Sequence, residues 1–279
     1  MEIKASDVKA LRDKTSAGMM ECKNALAACN GDAAAAEKLL KEKGLAAVEK
    51  RAGRATSEGL ILIKTDGKKA VMAELTCETD FVAKNEDFVA LGDNVITTAF
   101  AKNATEVTPD LSAMVLDMAT KVRENMALNR LVSLTAGADE YIAKYIHSDK
   151  KTGVLIMMKS DKAGVFENAS VQEFAYDCCL HVAAFTPMYT TSAEVDPKYI
   201  EEQTEIFKAQ AKESGKPENV QAGIVQGKLK KHLAEICFLD QPFVKDDKLS
   251  VSKKMDEVGA SVGAKITLSK MVLFQLGVN

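Results

Sequence analysis

The spacing of apolar residues along this chain changes character at several points, and the changes divide it. Up to residue 44 the period is helical. Val8 and Leu11 share one side of a first helix that Ser6 can cap and that runs to about Arg12. Met19, Cys22, Leu26 and Cys29 step by 3, 4 and 3 positions along the face of a second. Gly31 can end that helix, and Asp32 can cap a third, an alanine-rich run that closes with Leu39 and Leu40 before Gly44. Residues 49–58, GluLysArgAlaGlyArgAlaThrSerGlu, are charged and small and read as a linker.

From residue 59 the pattern switches to strands. LeuIleLeuIleLys and AlaValMetAlaGluLeu flank AspGlyLysLys, which predicts a hairpin with AspGly at its turn. Phe88, Leu91, Val95 and Ala99 return to helical spacing, residues 111–126 carry another helix, and LeuValSerLeu at 131–134 is a short strand. The order then recurs. Residues 141–147 and 153–159 form a second hairpin around SerAspLysLysThrGly, Val171, Phe174, Cys178, Val182 and Phe185 mark a helix, and residues 266–276 offer a final strand. Two hairpin–helix–strand halves imply an α+β protein with two related lobes, each built on a small antiparallel sheet. Asp196–Pro197 opens an insertion, with a helix to about Glu213, a turn at SerGlyLysPro and a second helix over about 217–238. Apolar residues are sparse on both: Ile200 and Phe207, then Val220, Ile224, Leu229, Leu233 and Ile236. So narrow a stripe predicts a two-helix antiparallel arm and not a core element.

Composition narrows the function. The chain has 279 residues and a net charge of −3 with both signs intermixed, which argues against binding nucleic acid by phosphate neutralisation. No apolar run reaches the roughly 18 residues of a membrane span. The start, MetGluIleLysAlaSer, has neither a signal-peptide core nor an Arg-rich leader, so a cytoplasmic protein, or one whose leader has been removed, is expected. Six cysteines at 22, 29, 77, 178, 179 and 237 include no CxxC, which fits unpaired thiols in a reducing compartment. Cys22 and Cys29 have no further ligands nearby, so zinc is not expected and no cofactor is implied.

The candidate chemistry is thin. Cys178 and His181 sit three apart on a helix and could pair as nucleophile and base. Cys178 also lies on the apolar stripe, where a thiol behaves as a small hydrophobe, and no acid orients the histidine. His147 ends a strand before a loop and reads as a surface histidine. Met19 and Met20 follow Gly18 at a helix start, rotated by about 100° from each other, and suit either a core or an adaptable binding surface. In ThrAspPheValAlaLys at 79–84, Asp80 can cap a turn while Phe81 and Val82 follow in the first turn. By periodicity they would staple the hairpin onto the helix that follows. By position they could also meet a partner.

Two of these stretches carry a family resemblance. ThrSerAlaGlyMetMetGluCysLysAsnAlaLeu at 15–26 and ThrAspPheValAlaLys at 79–84 closely resemble the signature stretches of the bacterial elongation factor Ts family. HisValAlaAla at 181–184 with Pro187, SerGlyLysPro at 214–217 and GlnProPheVal at 241–244 resemble further landmarks at the family's spacing. The resemblance implies a guanine-nucleotide exchange factor for the translational GTPase elongation factor Tu, with no catalytic residues, no metal and no cofactor of its own. It implies a ubiquitin-associated-like helical domain and linker over 1–54, a core subdomain over 55–140 and a second over 141–279, the last interrupted by a coiled-coil module at 197–238. Thr79, Asp80, Phe81 and Val82 would form a wedge near the nucleotide and magnesium site, Met19 and Met20 would contact a helix of the same domain, and His147 and Gly153 would face another domain. No direct contact with nucleic acid or membrane is implied, and a homodimer and a heterotetramer with the GTPase both stay open. The family's further C-terminal helix, also a contact to the GTPase, has no counterpart before the chain stops at LeuGlyValAsn. Two rival classes remain. One is an adaptor that binds through the helical domain without exchange activity, and the other is a thiol enzyme built on Cys178.

Overall fold

The computed structural model describes residues 3–15, 17–213 and 215–278. Ser16 and Ser214, which belong to two of the motifs above, lie outside the described residues. In chain order the elements are helices α1 (Ala5–Thr15), α2 (Met19–Ala28) and α3 (Ala33–Glu49), strands β1 (Glu58–Thr65) and β2 (Lys69–Cys77), helices α4 (Asp80–Ala83), α5 (Glu86–Ala101) and α6 (Pro109–Val122), and strand β3 (Met126–Thr135). The second half follows with β4 (Glu140–Ile146), β5 (Thr152–Ser160), α7 (Ala169–Phe185), α8 (Pro197–Glu213), α9 (Glu218–Ile236), β6 (Pro242–Phe243), β7 (Asp246–Ser250), α10 (Val251–Ser261) and β8 (Ile266–Gln275). The architecture is α+β with small antiparallel sheets.

The two three-stranded sheets are built alike. One has the order β1–β2–β3 and the other β4–β5–β8, all antiparallel with the second hairpin strand in the centre. Each central strand breaks register once against its third strand, between Glu74 and Leu75 in the first sheet and between Met157 and Met158 in the second. The repeat read from pattern is therefore present in topology and in the placing of its bulges. Strand alternation then sorts the apolar residues. Leu60, Leu62, Val71, Ala73 and Leu75 pack against Phe88, Leu91, Val95 of α5 and Leu111, Val115 of α6. Val154, Ile156 and Met158 pack likewise against α7 and α10. The alternate residues Ile61, Ala70 and Met72 meet Ile142, Leu155 and Phe274 across a seam between the sheets. Burial on both faces is why these strands read as unbroken apolar runs.

One charge lies in that double burial. Glu74, only 2% exposed, pairs across the first sheet with Arg130, whose Nε donates to Oε2 at 2.5 Å. The other carboxylate oxygen accepts from Gly277 N at 2.8 Å, and Arg130 donates to Gln275 O at 2.8 Å while lying over the Phe274 ring. The pair thus fastens the end of β8 onto the first sheet.

Several expectations shift. The first helix starts at Ala5, with Lys4 O accepting the first N–H bonds, so Ser6 is inside it and is not its cap. Asp32 does cap α3, but that helix runs through Gly44 to Glu49. Gly44 is a contact point, since a Cβ there would sit 3.1 Å from that of Thr120 on α6. The strand expected at 131–134 extends over Met126–Thr135. Phe185, expected on the buried stripe of α7, is 51% exposed because it lies at the last turn. The β6–β7 hairpin and α10 had no counterpart in the pattern reading. α8 and α9 pack on each other around Tyr199, whose hydroxyl meets His232 Nε2 at 2.8 Å. The insertion's last residues are different: Cys237 and Phe238 are fully buried, and Phe238 belongs to the second core.

Two outcomes test this packing. Glu74→Ala strands Arg130 and should lower the urea-denaturation free energy by about 3 kcal/mol, the low end for a broken buried pair because Arg130 keeps some water contact. Replacing residues 199–232 by a short Gly/Ser linker should leave a single cooperative unfolding transition by calorimetry. A molten product would mean that the arm supports the core.

Candidate partner-binding surface

The site is built at the end of β2. Two residues past Cys77 the chain makes the single helical turn α4, and Thr79 caps it, its Oγ1 accepting from Val82 N at 3.4 Å. Asp80, expected as the cap, instead accepts a hydrogen bond from Lys84 Nζ at 2.7 Å. That hydrogen bond and the ammonium's charge hold its carboxyl below the usual range. Successive residues on a helix diverge by about 100°, so one short turn cannot bury all its side chains. Ala83 is buried and Val82 packs against the first core. Phe81 points away and is 83% exposed. The staple reading of Phe81 therefore fails, and the residue that anchors the turn is Val82.

A polar clamp holds the turn from behind. Glu124 Oε2 accepts from Glu78 N and Thr79 N, both at 3.1 Å, and its Oε1 accepts from Thr79 Oγ1 at 2.6 Å. In return Glu78 Oε1 accepts from Asn125 N at 2.7 Å, and this bond, with Arg54, holds the Glu78 carboxyl below its usual range. Asn125 Nδ2 donates to Ala52 O and Arg54 O in the linker. Neither Glu124 nor Asn125 was singled out from sequence. Their partners lie 45–47 positions earlier in Glu78 and Thr79, beyond any local spacing rule.

Met19 and Met20 open α2 and are 45% and 65% exposed, so Met19 is less of a core residue than its stripe implies. The helical unit closes instead on Val8, Leu11, Cys22, Ala25, Leu26 and Ala36. Glu21 caps α2 by accepting from Gly18 N at 3.0 Å, and the same carboxylate pairs with Arg123 at the end of α6. Arg123 takes a left-handed conformation, φ 67°, as the C-cap of α6. The methionine pair is thereby tied to the segment that clamps the Phe81 turn.

His147 lies in the β4–β5 turn, half-exposed, with Nδ1 2.9 Å from Asp149. Gly153 is another matter. It is buried, and a Cβ there would come within 2.5 Å of Ile61 Cγ2 and 3.0 Å of Met72 Sδ. Close approach of the two sheets accounts for the glycine, which presents no side chain to a partner. The same turn reaches the first half: Ile61 N donates to Lys150 O at 2.7 Å, and Lys151 Nζ pairs with Glu58 at 2.7 Å. The Lys151 ammonium is pushed up chiefly by that bond to Glu58, with smaller contributions from Asp149 and from Asp80. Glu58 pairs with Cys77 in the β1–β2 ladder, so the His147 turn lies at the end of the first sheet from which the Phe81 turn leaves.

The thiol reading finds no support. Cys178 and Cys179 are fully buried, and desolvation drives both thiols upward, away from the thiolate a nucleophile needs. Both nitrogens of His181 are occupied. Nδ1 accepts from Val244 N at 3.2 Å, which leaves Nε2 to donate to Gln241 Oε1 at 2.8 Å, and Gln241 Nε2 donates to Glu235 O. The ring packs among Phe185, Phe238 and Phe243. HisValAlaAla and GlnProPheVal are thus two parts of one buried contact. Among the described residues no cluster of His, Cys, Asp and Glu could hold a metal, and no helix is long and apolar enough to cross a membrane.

The sequence model of the family Elongation factor TS matches residues 78–278. The chain is 68% identical over 277 residues to elongation factor Ts of Treponema denticola, covering 99% of each protein. It is 55% identical to elongation factor Ts of Treponema pallidum over the full length of both, and 40% identical to that of Borrelia hermsii over 99% of this chain and 100% of that one.

The buried imidazole gives a pH test. Burial lowers the His181 pKa below 6.5, so the unfolded chain takes up its proton first. The stability owed to neutral His181 is full above about pH 6.5 and is lost as pH falls through the depressed folded value. An NMR titration of the three histidines should show the His181 ring midpoint below 6.5. A midpoint at or above 6.5 would contradict the assigned tautomer and packing.

Proposed function

The chain belongs to the elongation factor Ts family, and from that premise we propose that Asp80 and Phe81 are the wedge by which it opens the nucleotide site of elongation factor Tu. The protein promotes release of GDP from that GTPase and its exchange for GTP. It acts as a binding protein, without covalent or acid–base chemistry. The observation that supports the wedge is the exposure of Phe81, a large apolar ring held in water on a turn anchored by Val82 and Ala83. Such a ring gains by burial in a partner what it does not gain in its own fold.

The energetics set what else must take part. Burying one Phe ring supplies about 1.5–3 kcal/mol. At about 1.4 kcal/mol per tenfold, that is one to two decades of weakened nucleotide binding. A GTPase holds its nucleotide through a phosphate loop and a magnesium ion that tolerates little distortion, so small displacements of the elements around them are effective. Further contacts must add to the ring. Met19, Met20 and His147 extend the surface, the methionines on a helix joined by Glu21 to Arg123 and His147 on a turn joined by Lys151 to Glu58 of β1. By linkage, GDP weakens binding of the factor by the same ratio as the factor weakens GDP.

The finer organisation belongs to the same proposal. Residues 1–54 act as a ubiquitin-associated-like unit with its linker, 55–140 and 141–279 as the two core subdomains, and 197–238 as a coiled-coil module. The reading is supported by the separate apolar cluster of the first three helices and by the mutual packing of α8 and α9. All six cysteines are free, which supports a reducing, cytoplasmic setting.

Release of labelled GDP from elongation factor Tu is the test. The intact chain should accelerate release at substoichiometric concentration, whereas a plain adaptor would bind without accelerating it. Phe81→Ala should move the melting free energy by less than about 0.5 kcal/mol, as for an exposed side chain. It should slow exchange by about tenfold or more from the lost burial. A large stability loss with normal exchange per folded molecule would remove Phe81 from the site.

A further inference from the structure

Phe81 has no packing of its own to aim it, so its direction is set by the backbone of the turn that carries it. Val82 and Ala83 anchor that backbone on its apolar side, and one side chain supplies the polar hold at its start. All three hydrogen bonds to the Glu124 carboxylate come from the two residues immediately before Asp80: Glu78 N, Thr79 N and Thr79 Oγ1. Thr79 Oγ1, oriented by that 2.6 Å bond, in turn accepts from Val82 N and closes α4. The clamp is reciprocal, because Glu78 accepts from Asn125 N at 2.7 Å.

We infer that Glu124 is a positioning residue for nucleotide exchange, its carboxylate fixing the 78–79 turn so that Phe81 is presented ready for insertion. The inference rests on the wedge reading of Phe81. The physical reason is preorganisation. A ring on a loose turn loses conformational freedom when it binds, and that loss subtracts from the interface energy available to weaken nucleotide binding. A carboxylate suits the task because two backbone N–H groups and a hydroxyl all donate toward one point, and charged acceptors make the stronger bonds. The neighbouring residues widen the role of this segment. Arg123 pairs with Glu21 below the methionines, and Asn125 holds the linker at Ala52 and Arg54. Three consecutive residues after α6 therefore fasten the methionine helix, the Phe81 turn and the linker.

The test compares Glu124→Ala, Glu124→Gln, Phe81→Ala and the double variant Phe81→Ala/Glu124→Ala in the full chain, each assayed for melting and for release of labelled GDP from elongation factor Tu. Glu124→Ala should slow exchange per folded molecule by about tenfold, equivalent to about 1.4 kcal/mol. Glu124→Gln keeps a carbonyl acceptor for the two N–H groups and should recover part of the loss. In the Phe81→Ala background, Glu124→Ala should change exchange by less than about twofold, because residues that act as one unit are not additive. The melting shift caused by Glu124→Ala should be the same in both backgrounds, which separates positioning from plain stability. Should Glu124→Ala fail to fold, the same comparison is made with Glu124→Gln. Exchange losses that multiply independently, or unchanged exchange in a folded Glu124 variant while Phe81→Ala is slow, would overturn the role of Glu124 alone. Normal exchange in Phe81→Ala would remove the wedge itself and this inference with it.

Discussion

The seam between the two sheets is the constraint on which the rest of this structure depends. Gly153 at the start of β5 lets Ile61 and Met72 approach to a distance that any side chain would forbid. Around that point Ile61, Ala70 and Met72 of one sheet interlock with Ile142, Leu155 and Phe274 of the other. The seam cannot slide freely, because buried Glu74 and its half-buried partner Arg130 sit at its edge and bind the backbone of Gly277 and Gln275. A buried ion pair adds little net stability over a well-packed apolar substitute, but displacing either partner leaves a charge without compensation. Apolar packing brings the two halves together, and the charge pair fixes where they stop.

That fixed seam explains how one surface is assembled from distant parts of the chain. With the sheets locked, the β4–β5 turn lies against β1, where Lys150 O meets Ile61 N and Lys151 meets Glu58. The turn that carries Asp80 and Phe81 leaves β2 on the same side. The helical unit keeps an apolar cluster of its own but joins the first lobe through α3, where Gly44 meets Thr120 of α6 and Val48 packs on the first core, and through the pair of Glu21 with Arg123. The protein performs no bond chemistry, and in the proposed wedge reading its work is to hold an exposed ring and its neighbours at fixed separations until a partner covers them. Rigidity serves that work directly, since whatever freedom the surface lost beforehand need not be lost on binding.

Polar groups inside the molecule are spent on geometry in the same way. Both nitrogens of His181 and both polar ends of Gln241 are used, which joins α7 to the segment that leads out of α9. Cys178 and Cys179 beside them fill space. A cysteine and a histidine three apart on a helix are the one arrangement in this chain that imitates catalysis. Burial removes it by denying the thiol its anion and the imidazole a free nitrogen.

What the sequence alone determined was whatever depends on near neighbours. The two hairpins, the repeated order of elements, the Asp32 cap and the arm between α7 and the last strands were all legible, because periodicity and turn chemistry act within a few residues. Family resemblance pointed to the pair Asp80 and Phe81 as a partner contact, while periodicity alone left it as a staple or a contact. Some local signals were present and not read, such as the Ser250 cap and the 251, 255, 258 spacing of α10. What only the tertiary structure decided was which way each of these residues faces and what holds it. Exposure of Phe81 depends on Val82 and Ala83 taking the core side of a one-turn helix. Burial of Gly153 depends on Ile61 and Met72 in the other sheet. The clamp joins Glu124 and Asn125 to a turn more than forty positions earlier. Contacts of that length leave no spacing in the chain, because their two ends are brought together only by packing of everything between them.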